Sequence, residues 1–209
     1  MRLLILLNAT CRHVSSFHSF NSLHLPKLCD GGILLTFLGQ MEPSTSDTNF
    51  QKIEEKDEEL LAYAQEEFQS FQGAENFNRI AAKVIAVKAT TNRLTCELTV
   101  ENEHVNTKGT LHGGQAASLV DIVTARAVGL SVRDKGMASI EISLSYLSPV
   151  KLGDQITIEA TVLKCGRNVA FTDCEFRQKS DGKLCVKGKH TIAILPGQPP
   201  VINGKAQLY

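Results

Sequence analysis

NTKGTLHGGQAASLVD, residues Asn106 to Asp121, passes from a polar loop into a helix, and the organisation of the chain hangs on that change. From Gln115 onward, Ala116, Leu119, Val120, Val123, Ala127 and Leu130 recur at the three- and four-residue spacing of one buried helical face. The helix therefore begins near His112-Gly113-Gly114. The first N–H groups of a helix have no partner inside it and sit at the positive end of its dipole, so they attract an oxygen that is gaining negative charge. Glycine lets a ligand come close to them, which makes the Gly113 N–H a candidate oxyanion donor. Asp121, two turns further on, is about 12 Å away at a helical rise of roughly 1.5 Å per residue. That is too far for both groups to touch one reacting carbon. If both take part, the carboxylate comes from a second copy of the chain, with two sites at the interface of a homodimer.

Upstream, residues 80–90 and 94–100 are rich in β-branched and alternating apolar side chains and predict a hairpin turning at Thr91-Asn92-Arg93. The polar loop 101–110 then carries Asn106 towards the helix. In such a place an asparagine is most often a turn former, and a histidine such as His112 a capping or core residue. Downstream, Arg133-Asp134-Lys135-Gly136 breaks the helix, and Ile140, Ile142, Leu144 and Tyr146 alternate with polar residues as a half-buried strand. Ser139 sits at its start, facing opposite to Ile140. Residues 156–163, 169–177 and 184–194 predict three more strands, the last two joined by the hairpin signal Ser180-Asp181-Gly182-Lys183. The four strands after the helix are expected to follow one another up and down. Ahead of all this, Leu61, Ala64, Phe68 and Phe71 mark an amphipathic helix ended by Gly73, and the polar segment EPSTSDTN before it reads as a linker. The acidic run from Glu54 to Glu59 is the solvated face of that helix. The helix is expected to pack across the fold or to cover a substrate channel. The sum is an α+β fold, one long central helix wrapped by a single antiparallel sheet of about six strands.

The chain has 209 residues, 43% of them hydrophobic, enough for one well-buried core with extensions. Equal numbers of basic and acidic residues, 22 each, leave no electrostatic footprint for nucleic acid. The cysteines Cys11, Cys29, Cys96, Cys165, Cys174 and Cys185 show no CxxC spacing, so they read as ordinary buried thiols and not as a zinc or redox site. Residues 1–40 carry Arg2, Arg12 and Lys27 against a single acid, Asp30, the bias of a mitochondrial presequence. The apolar run Leu3 to Leu7 is short for a secretory signal and far too short to span a bilayer. The rival reading takes Met41 as the translation start, which makes the protein cytoplasmic. The expected divisions are 1–40, a presequence or extension; 41–75, linker and amphipathic helix; 76–195, the folded domain; and 196–209, a tail marked by Pro196, Pro199 and Pro200.

His104 to Asp121, HxNxxGTLHGGxxxxLVD, followed after a strand by SYLSPVKLGD at Ser145 to Asp154, closely resembles the hotdog-fold acyl-coenzyme A thioesterases of the thioesterase superfamily member 2 type. The resemblance spans roughly residues 76–195. It implies the hotdog fold, hydrolysis of acyl-CoA to fatty acid and coenzyme A, no cofactor or metal, and a homodimer that pairs again into a homotetramer. It further implies that the Gly113 amide polarises the thioester carbonyl, that Asn106 and His112 align it, and that Asp121 acts as base or nucleophile on water oriented by Ser139. Ser139, Tyr146 and Lys151, with Lys164, Gly166, Arg167 and Asn168, correspond to the family's substrate-contacting segments. Any one of these lysines is more often a solvent-facing charge, but Lys151, Lys164 and Arg167 are expected to lie together on one turn-rich edge that meets the nucleotide. Two rivals compete. A non-catalytic acyl-CoA-binding hotdog protein is expected to lack a carboxylate at the Asp121 position. An enoyl-CoA hydratase pairs its aspartate with a histidine shortly downstream, whereas here none follows Asp121 until His190.

Overall fold

The computed structural model describes residues 45–195 and Gly197, with side chains from Lys52 onward. The expected presequence, residues 41–44 and, Gly197 apart, the proline-marked tail lie outside the described residues. Among the described residues no helix is long and apolar enough to cross a membrane.

Two helices and six strands build the fold: α1 Thr45–Gln69, β1 Ile85–Thr90, β2 Arg93–Thr99, α2 Gly113–Gly129, β3 Gly136–Tyr146, β4 Gln155–Cys165, β5 Val169–Gln178 and β6 Leu184–Leu195. All pairings are antiparallel, in the order β1-β2-β4-β5-β6-β3. α2 lies on one face of this sheet, burying Ala116, Leu119, Val120, Val123 and Ala127 in one cluster with Leu98, Ile156, Ile158, Cys174 and Phe176. Each fully buried large side chain of this kind contributes about 1.5–3 kcal/mol of transfer free energy. α1 adds Leu60, Ala64 and Phe68 to the same core, and the turn after it adds Phe71. Glu67 of α1 pairs with Arg126 of α2 at 2.8 Å, and the Arg126 guanidinium lies 5.1 Å from the centre of the Phe71 ring.

Several expectations are corrected. α1 begins at Thr45, inside the segment read as linker, because Ser, Thr and Asp open helices as readily as they form turns. Residues Phe77–Ala81 form a 3-10 turn, so the first strand starts at Ile85 and not at Ile80. The Asn76 side chain caps that turn, and Gln115 of α2 donates to the Ile80 carbonyl at 2.8 Å. An apolar run this short fits either element by periodicity alone. The last four strands are not a meander, since β3 crosses to the far edge and pairs with β6 while β4 inserts beside β2. β3 is also bulged: Ser139 pairs with Ile192 and Glu141 with Thr191, leaving Ile140 out of register and 60% exposed. Tyr146, expected inside, is 58% exposed. Cys96, Cys174 and Cys185 are buried as expected, and burial pushes all three thiols up, but Cys165 at the end of β4 is exposed.

Candidate active site

His112 is the N-cap of α2: its backbone is extended, and its Nδ1 accepts the Gly114 N–H at 2.9 Å. With Gly114 satisfied, Gly113 and Gln115 are left as open amides, and among the described residues no carbonyl or side chain accepts the Gly113 N–H. On its other side the Gly113 carbonyl accepts the Tyr146 hydroxyl at 2.9 Å. Gly113, Asn106, Thr110 and Tyr146 line one open cavity of about 320 Å³. Asn106 shapes its own loop, with Oδ1 accepting from the Lys108 N–H at 2.9 Å and Nδ2 donating to Thr110 Oγ1 at 3.0 Å. Gly109, at φ 71°, makes the reversal inside that loop, a backbone conformation that side chains resist.

Asp121 stands two turns along α2 and opens on a different cavity of about 290 Å³, which it shares with Ser139, Tyr63, Ala125 and Met137. Ser139 Oγ donates to Asp121 Oδ1 at 2.8 Å. The β3 bulge has a purpose visible here: it keeps Ser139 on the helix side of the sheet, opposite the buried Ile192. Behind the carboxylate lies a histidine that the local sequence did not single out as part of the site. The His190 side chain on β6 is fully buried, with Nε2 3.5 Å from Asp121 Oδ1 and Nδ1 2.6 Å from Thr124 Oγ1. Its Nε2 has no hydrogen-bond partner among the described residues. Burial holds the His190 pKa below the usual histidine value, and the Asp121 charge opposes that shift. The sequence signal for this residue was a histidine in step with Val186, Ile192 and Ile194 on the apolar face of an alternating strand.

The sequence-predicted residues therefore fall into two groups. Asn106, His112, Gly113 and Tyr146 gather at the start of α2, joined by Lys151, which is bridged to Thr110. Asp121 and Ser139 form the second group, with the exposed turn carrying Lys164, Gly166, Arg167 and Asn168 at the same end of the sheet, where Asn168 accepts the Ile194 N–H. Lys151 lies just before β4 and Lys164 near its far end, so they stand roughly 30 Å apart within one chain at a strand rise of about 3.3 Å per residue. The single basic edge expected from the sequence does not exist in one chain.

The family described as Thioesterase superfamily matches residues 108–185, a span that holds Gly113, Asp121 and Ser139. A Caenorhabditis elegans protein bearing the name "Putative esterase F42H10.6" is 55% identical over 164 residues, 78% of this chain and 95% of its own length. The Homo sapiens protein Acyl-coenzyme A thioesterase 13 is 42% identical over 118 residues, 56% of this chain and 84% of its own. The crystal structure of zebrafish Thioesterase Superfamily Member 2 superposes with a TM-score of 0.62 at 35% identity, covering 64% of this chain and 97% of that one. With the helix on its antiparallel sheet, the open amide at the helix start and the serine-bound carboxylate behind it, the chain belongs to the thioesterase superfamily and is a hotdog-fold thioester hydrolase.

Proposed function

We propose that this chain hydrolyses fatty acyl-coenzyme A at sites shared between two copies of itself. One observation carries the reading: Gly113 and Asp121 lie on one rigid helix and open into different cavities. Neither cavity alone holds both a carbonyl-polarising amide and a water-activating carboxylate. A second chain laid antiparallel over α2 would unite the Gly113 group of one copy with the Asp121 group of the other, and would bring Lys151 and the Lys164–Asn168 turn to one substrate. β3 supports this arrangement, being an eleven-residue edge strand with Ile140 and Tyr146 exposed. Pairing of such dimers into a tetramer and import into mitochondria rest on the family resemblance and on the composition of residues 1–40.

In the proposed reaction the Gly113 N–H, aided by the helix dipole, receives the negative charge that builds on the thioester oxygen. Asn106 and His112 line the approach of that carbonyl. Asp121 takes a proton from water held by Ser139 as the water oxygen bonds to the carbonyl carbon; the C–S bond then breaks and the thiolate of coenzyme A leaves with a proton. The Asp121 side chain is 43% exposed. A partner surface over it supplies burial, which strengthens a carboxylate as a base; direct attack to form an anhydride is the alternative role. The acyl chain runs into the groove walled by Tyr63 of α1 and Phe71 just beyond it against Ile122, Ala125 and Met137. Acyl-CoA is chosen as substrate because the human and mouse relatives carry that activity in their names.

The absence of a histidine shortly after Asp121 no longer separates this chain from a hydratase, because the fold brings His190 to the carboxylate. Burial separates them instead: a fully buried imidazole behind Asp121 cannot act on a substrate in front of it. Steady-state release of free thiol from acyl-CoAs of short to long chain tests the reading. The parent should turn over a chain-length class, and Asp121→Ala should lose kcat by about a thousandfold or more while still binding acyl-CoA, as loss of a general base together with its water site demands. Binding without turnover by the parent means a non-catalytic acyl-CoA-binding protein.

A further inference from the structure

We propose that His104, which lies behind the loop and touches no substrate cavity, is the positioning residue that fixes the Gly113 amide. His104 ends the 3-10 turn Asn102–His104, and its side chain is 2% exposed. Its Nδ1 accepts the Glu101 N–H at 2.9 Å, so that nitrogen is unprotonated and the ring proton sits on Nε2, 3.5 Å from Glu103 Oε1. The ring is thus hydrogen-bonded through Nδ1 to the turn it closes, with Glu103 beside its other nitrogen. Its backbone carbonyl, held in place by the same ring, accepts the His112 N–H at 2.8 Å. That bond closes the base of the loop between Val105 and Leu111, which are themselves bridged, and it fixes the residue directly before Gly113. The groups facing the ring are Glu101 and Glu103 of its own turn and Lys83 from the segment before β1, whose Nζ meets both glutamates at 2.6 and 3.2 Å. Burial holds His104 below the usual histidine pKa, which keeps the accepting Nδ1 free of a proton near neutrality.

A chain of hydrogen bonds therefore runs from the Glu101 N–H through the His104 ring, along the His104 backbone to the His112 N–H, and from the His112 ring to Gly114. Gly113, set between His112 and Gly114, keeps a free N–H in this chain, and its aim depends on every step. The role rests on Gly113 being the donor to the thioester oxygen.

The test compares His104→Asn with His104→Gln in the full chain. Asparagine puts its Oδ1 where Nδ1 stood; glutamine carries its oxygen one methylene further, away from the Glu101 N–H. The Asn variant should keep kcat within a few-fold of the parent, whereas the Gln variant should lose about tenfold to a hundredfold in kcat with little change in KM, the scale of a misplaced reacting group. The His112 and Gly113 amide signals in 15N–1H spectra should hold in the Asn variant and move in the Gln variant. Equal kcat values with unmoved amides overturn the role of His104. Moved amides with unchanged kcat overturn the role of Gly113 as donor, and the consequence for His104 with it. The unsubstituted protein supplies a reading that no folding defect can spoil. Its imidazole nitrogen spectrum should show His104 as the Nε2–H tautomer with Nδ1 accepting, and an Nδ1–H tautomer overturns the proposal outright.

Discussion

His190 reaches Asp121 from β6, in the register that sets it opposite Ile142 of β3, and its other nitrogen meets Thr124 one turn along α2 from the carboxylate. The Thr124 hydroxyl lies between His190 Nδ1 at 2.6 Å and the Val120 carbonyl at 2.7 Å, and when it donates to Nδ1 the ring hydrogen sits on Nε2, whose dipole faces the Asp121 carboxylate 3.5 Å away without a hydrogen bond to it. His190→Leu should therefore lower kcat about tenfold to a hundredfold, the usual cost of losing an orienting partner behind a functional group. Acyl-CoA binding, measured by calorimetry, should change far less; an equal loss in both would mean the ring only supports the core. The same residue, with His104, sets an acid limit on stability. Both have folded pKa values below the ordinary one because they are buried. Near pH 6.5 the unfolded chain takes up protons that the folded chain refuses until lower pH. The stability they contribute is thus complete above that value and lost as pH falls towards the folded pKa, by at most about 1.4 kcal/mol per pH unit for each histidine. Tm followed from pH 7.5 to 5 should fall, and fall less steeply in His190→Gln; a flat profile removes the buried neutral histidines from the account. Gly113, His112 and Asp121 were legible in the sequence because their chemistry is packed into one local stretch. His190 was not, because only long-range strand pairing brings it to α2.

At Gly188 the sheet packs tightly against α2. A Cβ built there would stand 3.0 Å from both methyl groups of Val120, the residue next to Asp121. Gly188 is buried on β6 between Leu144 and Cys174, so the strand cannot swing outward without breaking two ladders. Gly188→Ala should destabilise the fold by about 1–3 kcal/mol through overpacking. Val120→Ala removes both obstructing methyls and should restore much of that loss when combined with it, so the two changes should couple by more than about 0.5 kcal/mol in a double-mutant cycle. Urea titration of the four proteins measures this, and strictly additive effects would show that the helix and sheet do not touch there. Elements such as α2 and the β5–β6 hairpin could be read directly, since apolar spacing and an Asp-Gly turn are local signals. The place of β3 could not. An alternating strand names its buried face but not its neighbour, and only the assembled sheet shows that β3 crosses to β6. Nor does alternation survive a bulge, which is why Ile140 was expected inside and stands exposed while Ser139 turns towards Asp121.

At the scale of the whole molecule the proposed two-chain site has a consequence that no single-chain site shares. The residue before Gly113, His112, has φ −64° and ψ 134°, the extended conformation that a following proline requires. Gly113 itself is the first residue of α2, the helical position where proline is well tolerated. A Cβ there meets the Tyr146 ring at 3.4 Å, an ordinary contact at the limit of tightness. Gly113→Pro therefore removes the N–H while leaving the helix start intact, and should be inactive on acyl-CoA. Asp121→Asn, which keeps an acceptor for Ser139 but no base, should be inactive as well. Unfolding the two dead proteins together and refolding them as a mixture makes half the dimers mixed. In each mixed dimer one site joins an intact Gly113 from one copy to an intact Asp121 from the other, and its second site carries both lesions. Activity should return to about a quarter of the parent value under random pairing of two copies. Co-refolding the proteins at varied ratios, with thiol release as the readout, should trace a curve that peaks at the equal mixture. If each site were built within one chain, every mixture would stay as dead as its components, because each copy would carry its own lesion into its own site.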